Sequence, residues 1–189
     1  MSVSPTYKGY VASTQDALIL FEACLTGQLH HISRQLHEDE RPSLVVSGNV
    51  FVYEQHSSGI VRWTDGIRWG APEVVNDFHL YRQLVADLDA SESDRNLDNW
   101  LEMTRSTDAG LFLGALNFPE LRKYTISVTV RGISHHLVGY FTLSAALGGE
   151  LRVPTLDPGL CTLSPREELL SQRFIAPAEN GDDVHQNES

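Results

Sequence analysis

Residues 60–82 read IVRWTDGIRWGAPEVVNDFHLYR. Trp63 and Trp69 bracket Thr64-Asp65-Gly66, and Arg62 and Arg68 sit beside them. Asp-Gly is a strong turn signal, because glycine takes positive φ without steric cost and an aspartate carboxylate bonds the backbone two residues on. Large aromatics on both sides of a turn predict a loop pinned at each end by ring burial. Residue types alone leave two readings, a hairpin whose tryptophans fill a core or a rigid platform that presents a cation. Beyond the loop Phe78 and Leu80 alternate with His79 and Tyr81, so residues 77–82 read as a strand, with a short helix as the alternative.

Upstream, Asn49-Val50-Phe51-Val52-Tyr53-Glu54 has the residue types of a pleated strand. His56-Ser57-Ser58-Gly59 supplies a connection, and Ile60-Val61-Arg62-Trp63 is expected to return as the antiparallel partner. Ser13-Thr14-Gln15-Asp16 carries a hydroxyl N-cap with a carboxylate three residues on. Ala17, Leu18, Phe21, Cys24 and Leu25 then recur at helical spacing, so a helix is expected over 13–26 with Gly27 as its stop. A shorter helix over 33–41, ended by Pro42, would carry Arg34 and Arg41; residues 1–9 read as irregular.

Downstream, the acidic, serine-containing stretch 85–109 reads as a linker with a possible helical turn at 97–103. Tyr124, Ile126, Val128 and Val130 then define one face of a strand. After Arg131-Gly132 the chain returns with Leu137, Gly139 and Phe141 on one side and Val138 and Tyr140 on the other, a hairpin over 121–143. Ser164-Pro165-Arg166-Glu167 predicts a terminal helix to about residue 174, and 176–189 reads as a disordered acidic tail.

The 189 residues fit one domain, with ordinary apolar (41%) and charged (21%) fractions. The net charge of −11 argues against a generally basic nucleic-acid binder, but residues 1–83 carry only −3 and the remainder −8, so a local basic face stays open. Cys24 and Cys161 make no disulfide framework. Membrane-span and leader patterns are missing, so a reducing, intracellular setting without membrane contact is the expectation. The pairs His30-His31 and His135-His136 lack zinc-ligand spacing, and no nucleophile elbow, phosphate loop or dinucleotide fingerprint occurs. The chain is therefore not read as an enzyme, and no cofactor or metal is expected.

The string Gly59-Ile60-Val61-Arg62-Trp63-Thr64-Asp65-Gly66-Ile67-Arg68-Trp69 closely resembles the signature of the fungal WOPR-domain transcription regulators. Thr6-Tyr7-Lys8-Gly9-Tyr10, Ser47-Gly48-Asn49-Val50-Phe51-Val52 and the 77–82 segment resemble further blocks of that family in the same order. Ser127-Val128-Thr129-Val130 and His136-Leu137-Val138-Gly139-Tyr140 resemble its second conserved block. The resemblance implies an α+β fold: a single globular domain whose antiparallel β-sheet is built from two intertwined sequence blocks, flanked by helices. The blocks would span 5–84 and 117–160, with an acidic linker at 85–116 and a short helix and tail at 161–189. It also implies a nuclear, sequence-specific DNA binder, a monomer for preference, acting on double-stranded A/T-rich DNA and open to protein partners.

On that resemblance Arg62 enters the minor groove, held by Trp63, Thr64, Asp65, Gly66 and Trp69, while Arg68, Lys8, Arg34 and Lys123 offer further contacts. Three departures from the family pattern stand out. Val61 and Gln35 replace positions commonly basic in the family, and Glu73 puts an anion where a cation is usual. They define the competing expectation, a divergent WOPR-fold protein-interaction module with weakened or lost DNA binding.

Overall fold

The computed structural model describes residues 2–84 and 120–174. Its centre is a six-stranded antiparallel sheet formed by β1 (Tyr7–Lys8), β2 (Asn49–Glu54), β3 (Glu73–Val75), β4 (Phe78–Arg82), β5 (Arg122–Val130) and β6 (Ile133–Phe141). The spatial order is β1-β2-β6-β5-β4-β3. The β5–β6 hairpin thus inserts between β2 and β4, pairing Val50 with Gly139 on one side and Leu80 with Tyr124 on the other. This insertion is the intertwining expected of the two blocks, and the fold class is α+β as expected.

Both faces of the sheet are covered. Side chains alternate across a strand, so Val50 and Val52 enter a core with Ile126, Leu137 and Phe141, over which α1 (Thr14–Leu25) packs. Phe51 and Tyr53 enter a second core with Val138 and Tyr140, roofed by Ile32, Leu36, Val45, Ile60 and the two tryptophans. Burial on both sides explains why β2 reads as an unbroken apolar run rather than a clean alternation. At Gly139 the strands approach too closely for a side chain: a Cβ would fall inside the Tyr124 ring.

The main helix begins and ends where its signals place it. Ser13 Oγ accepts from the Asp16 amide at 3.1 Å, and Gly27 takes φ +77° just beyond the end. Asp16 reaches past Ser13 to the Ala12 amide at 3.0 Å and across to the Thr155 amide at 2.9 Å, so the cap also ties the C-terminal segment to the helix.

Other expectations need correction. Residues 33–40 form no helix; α2 is Arg41–Leu44, and Pro42 opens it instead of closing one. Proline tolerates a first helical turn because that turn's amides lack partners anyway. The preceding loop is held by Glu40, whose carboxylate accepts from the His37 and Val3 amides and takes both ends of the Arg34 guanidinium at 2.7 and 2.8 Å. Residues 60–63 are not a strand either. Glu54 caps the short α3 (Gln55–Ser58) through the Ser57 amide, Gly59 turns the chain at φ +67°, and β2 takes β1 and β6 as neighbours. Residues 7–8, expected to be irregular, form that edge strand.

Beyond β6 lie α4 (Leu143–Leu147), a 3-10 turn at Pro154–Leu156 and α5 (Glu167–Leu170). The terminal helix is shorter than expected, and Arg166, at its N-cap, gives its amide and guanidinium to Glu22 on α1. The expected linker, its helical turn and the acidic tail lie outside the described residues.

The histidine pairs face different surroundings. His135 Nδ1 stands 3.3 Å from His31 Nε2, while His136 bonds Ser127 Oγ at 2.7 Å and Gln55 Oε1 at 3.1 Å. Among the described residues no group of three or more His, Cys, Asp or Glu side chains is arranged to hold a metal ion. Burial lowers the pKa of His31, His135 and His136; the facing His135 lowers His31 further, and Glu54 opposes the shift in both members of that pair. With folded pKa values below the unfolded value of about 6.5, their contribution to stability is full above that pH and lost as pH falls through the folded values. We expect the thermal midpoint to drop as pH falls below about 6.5. A His31→Gln/His135→Gln variant should show a shallower drop in a melting series at constant ionic strength.

Candidate nucleic-acid interface

The 60–69 loop lies on the sheet face that carries Phe51, Tyr53 and Tyr140. Ile60 is buried and anchors its start. Trp63 stacks on Tyr53 with centroids 5.7 Å apart and an interplanar angle of 15°, and its indole N–H donates to the Tyr140 hydroxyl at 2.6 Å. Trp69 stacks on the same Tyr140 ring and bridges to Gln83 beside β4. The Leu84 amide closes the far end by donating to the Arg68 carbonyl at 2.9 Å. The loop is therefore pinned at both ends, as its bracketing tryptophans predict.

Asp65 is the centre of this arrangement. It is buried, and its carboxylate accepts from the Ile67 amide at 3.1 Å, the Trp69 indole at 2.9 Å, the Tyr140 hydroxyl at 2.8 Å and the Lys123 ammonium at 3.2 Å. Burial alone would raise its pKa; the Trp69 indole, Lys123, Tyr140 and the Ile67 amide together outweigh burial and hold the carboxyl below its usual range. Burial, with the neighbouring Asp65 charge, pushes the Tyr140 phenol well above its ordinary value. Tyr140 hence stays protonated, accepting from Trp63 while donating to Asp65.

The structure separates the candidate cations into two sets. Lys123 is buried under the loop, not on the surface as its charge implies, with its ammonium 4.5 Å from the Trp69 ring centroid and 4.8 Å from that of Tyr81. Burial lowers its pKa, and Asp65 opposes the shift. Arg34 lies in the 33–40 loop, committed to Glu40 through a two-point ion pair. Arg62 and Arg68 point to solvent from the loop, as does Lys8 from β1. The register pairs Lys8 with Asn49, which shares the face of Phe51 and Tyr53, so Lys8 lies on the loop's side of the sheet. Thr64 and Gly66 are exposed, and Gly66 takes φ +78°, a conformation that favours glycine.

Two supports escape a reading of residue types. Gln35 Nε2 donates to the Arg62 carbonyl at 2.8 Å and so fixes the backbone of the exposed arginine. Arg41 lies against Gly66: an added Cβ there would stand 3.3 Å from its Nη1. No sequence signal pairs residues so far apart, although Gly66 does mark a place where something can approach the backbone closely.

Comparison with known proteins gives this surface a context. The Gti1/Pac2 family model matches residues 6–110. The chain is 38% identical to the global transcription regulator sge1 of Fusarium oxysporum f. sp. lycopersici, over 95% of this chain and 66% of that protein. It thus spans just under two thirds of that curated relative. White-opaque regulator 1 of Candida albicans is 48% identical over 83 residues, covering 44% of this chain and 11% of the relative. Among solved structures, the WOPR domain of Wor1 from Candida albicans, in complex with a 13-base-pair double-stranded DNA, superposes with a TM-score of 0.68 at 30% identity, covering 89% of this chain and 95% of that one. With the sheet order, the pinned Arg-Trp-Thr-Asp-Gly loop and these matches together, the chain belongs to the Gti1/Pac2 family, the family of WOPR domains.

Proposed function

We propose that this chain is a nuclear, sequence-specific DNA-binding transcription regulator that reads an A/T-rich site by placing Arg62 in the minor groove. The observation that carries this reading is the contrast within one loop. Trp63, Asp65 and Trp69 are locked by hydrogen bonds and ring contacts, whereas Arg62 between Gln35 and the tryptophan anchor is exposed with its backbone held. A pre-ordered cation of this kind suits a narrow A/T groove, where negative potential is concentrated and base edges carry little other information. The DNA-bound WOPR relative supports double-stranded DNA as the ligand.

Two family departures have internal roles that do not oppose DNA. Gln35 supports Arg62, and Glu73 pairs with Arg82 at 3.2 Å, which offsets its charge. The remaining exposed cations near the loop supply phosphate contacts, and each such contact contributes roughly 0.9 to the slope of log affinity against log salt. Selection from a random duplex library on the purified chain is the test. Enrichment of a common A/T-containing motif, with binding that weakens steeply as salt rises, is expected. Recovery of unrelated duplexes with salt-insensitive affinity would reject the proposal and favour the protein-interaction reading.

A further inference from the structure

We propose that Arg41 is a phosphate contact that works beside the 60–69 loop, holding the sugar-phosphate wall of the duplex next to the inserted Arg62. This rests on the DNA-binding reading above and extends it to a residue outside the signature. Arg41 opens α2, and its stem and guanidinium lie along the bare side of Gly66, 3.4 Å (Cδ) and 3.3 Å (Nη1) from where a Cβ would sit. The missing side chain at Gly66 therefore serves as a cradle as well as a turn.

Among the described residues the Arg41 side chain has no polar partner. Its Nε is buried without a hydrogen bond, and no described residue accepts from its guanidinium or forms an ion pair with it. Arg34, Arg82, Lys123, Arg152 and Arg166 each face a carboxylate, whereas Arg41, like the exposed Arg62 and Arg68 of the loop, has none among the described residues. The carboxylates next in sequence to Gly66 and to Arg41 are already committed. Asp65 is saturated by four donors, and Glu40 by Arg34 and the His37 and Val3 amides. A guanidinium with free donors, half-buried beside a cation-bearing loop, calls for an anion from outside. A phosphodiester matches its planar fork. Because Arg41 flanks Gly66 and is not at the exposed Val61-Arg62 tip, the contact is to backbone and carries no base information.

Fluorescence anisotropy on an A/T-rich and a G/C-rich duplex across a salt series tests this with Arg41→Ala, Arg41→Gln and Arg41→Lys. Arg41→Ala and Arg41→Gln should weaken both duplexes by a similar factor and flatten the salt slope by about 0.9, whereas Arg41→Lys keeps the slope. Arg41→Gln retains most of the stem, so it still reports if the alanine variant folds poorly. An unchanged slope in Arg41→Gln, with the unaltered chain and Arg62→Ala behaving as described below, overturns the assignment of Arg41 and leaves the groove reading intact. Salt-insensitive binding by the unaltered chain overturns both.

Discussion

Arg62→Ala is expected to weaken binding to an A/T-rich duplex by about 5- to 150-fold, equivalent to about 1–3 kcal/mol, while the thermal midpoint stays nearly constant. The two readouts separate because the side chain is exposed, and no described residue bonds its guanidinium. Substitutions at such surface positions usually change stability by no more than about 0.5 kcal/mol. The loss in affinity follows from the groove. Arginine entering a narrow A/T minor groove exchanges water for a concentrated negative potential, and alanine offers neither charge nor donors. Arg62→Lys should fall between the two, because an ammonium keeps the charge but holds its hydration more tightly than a planar guanidinium.

The effect should also depend on sequence. On a G/C-rich duplex, where the guanine amino group occupies the minor groove, the unaltered chain and Arg62→Ala should differ much less. Anisotropy on both duplexes at matched salt gives the comparison. Equal affinities of the two proteins for the A/T duplex at every salt concentration would remove Arg62 from the interface. Loss of thermal stability alongside affinity would instead reveal a structural role.

Parts of the fold set by local chemistry are legible in the sequence. Ser13 and Gly27 bound α1, and the alternation around Arg131-Gly132 draws the central hairpin. The misread segments depend on distant partners. Pro42 looks the same whether it closes one helix or opens the next, and the loop before it is held by Glu40, which bonds Arg34 and His37 nearby and the Val3 amide 37 residues away. Residues 60–63 have strand-like side chains, but the place beside β2 is taken by β6 from the other end of the chain. The site divides in the same way. Its turn, its pinned tryptophans and its exposed arginines follow from residue types. The support beneath does not: Lys123 reads as a surface cation until the register sets it between Tyr140 and Tyr81. Gln35, similarly, reads as a missing arginine until its amide is found on the Arg62 carbonyl.

Asp65→Ala should destabilise the fold and the interface together. Residue types mark Asp65 as a turn-former, yet its carboxylate accepts from donors 58 and 75 residues away, Lys123 and Tyr140. Removing it leaves the buried Lys123 ammonium without its counter-charge and the Trp69 indole and Tyr140 hydroxyl without their acceptor. Breaking one side of a buried pair costs about 3–5 kcal/mol. In a chain of this size that corresponds to a fall of roughly 6–20 °C in thermal midpoint.

The pH dependence supplies an independent check. Because the folded pKa of Asp65 is depressed, its stabilising contribution is present above its unfolded value of about 3.9 and lost as pH falls through the folded value. The gap in stability between the unaltered chain and Asp65→Ala should therefore be widest near neutrality and narrow in acid. A second substitution, Lys123→Met, should recover part of the loss in Asp65→Ala, since it removes the stranded charge while keeping an apolar stem against Trp69 and Tyr81. Binding should not recover with it. The loop would still lack the acceptor that orients Trp69 and Tyr140, so Arg62 would have to be ordered at the moment of contact, at a cost in affinity. Recovery of stability without recovery of binding would separate the carboxylate's two roles. Full recovery of both would reduce Asp65 to a counter-ion for Lys123, and the rigidity of the loop would then have to come from the tryptophan stacking alone.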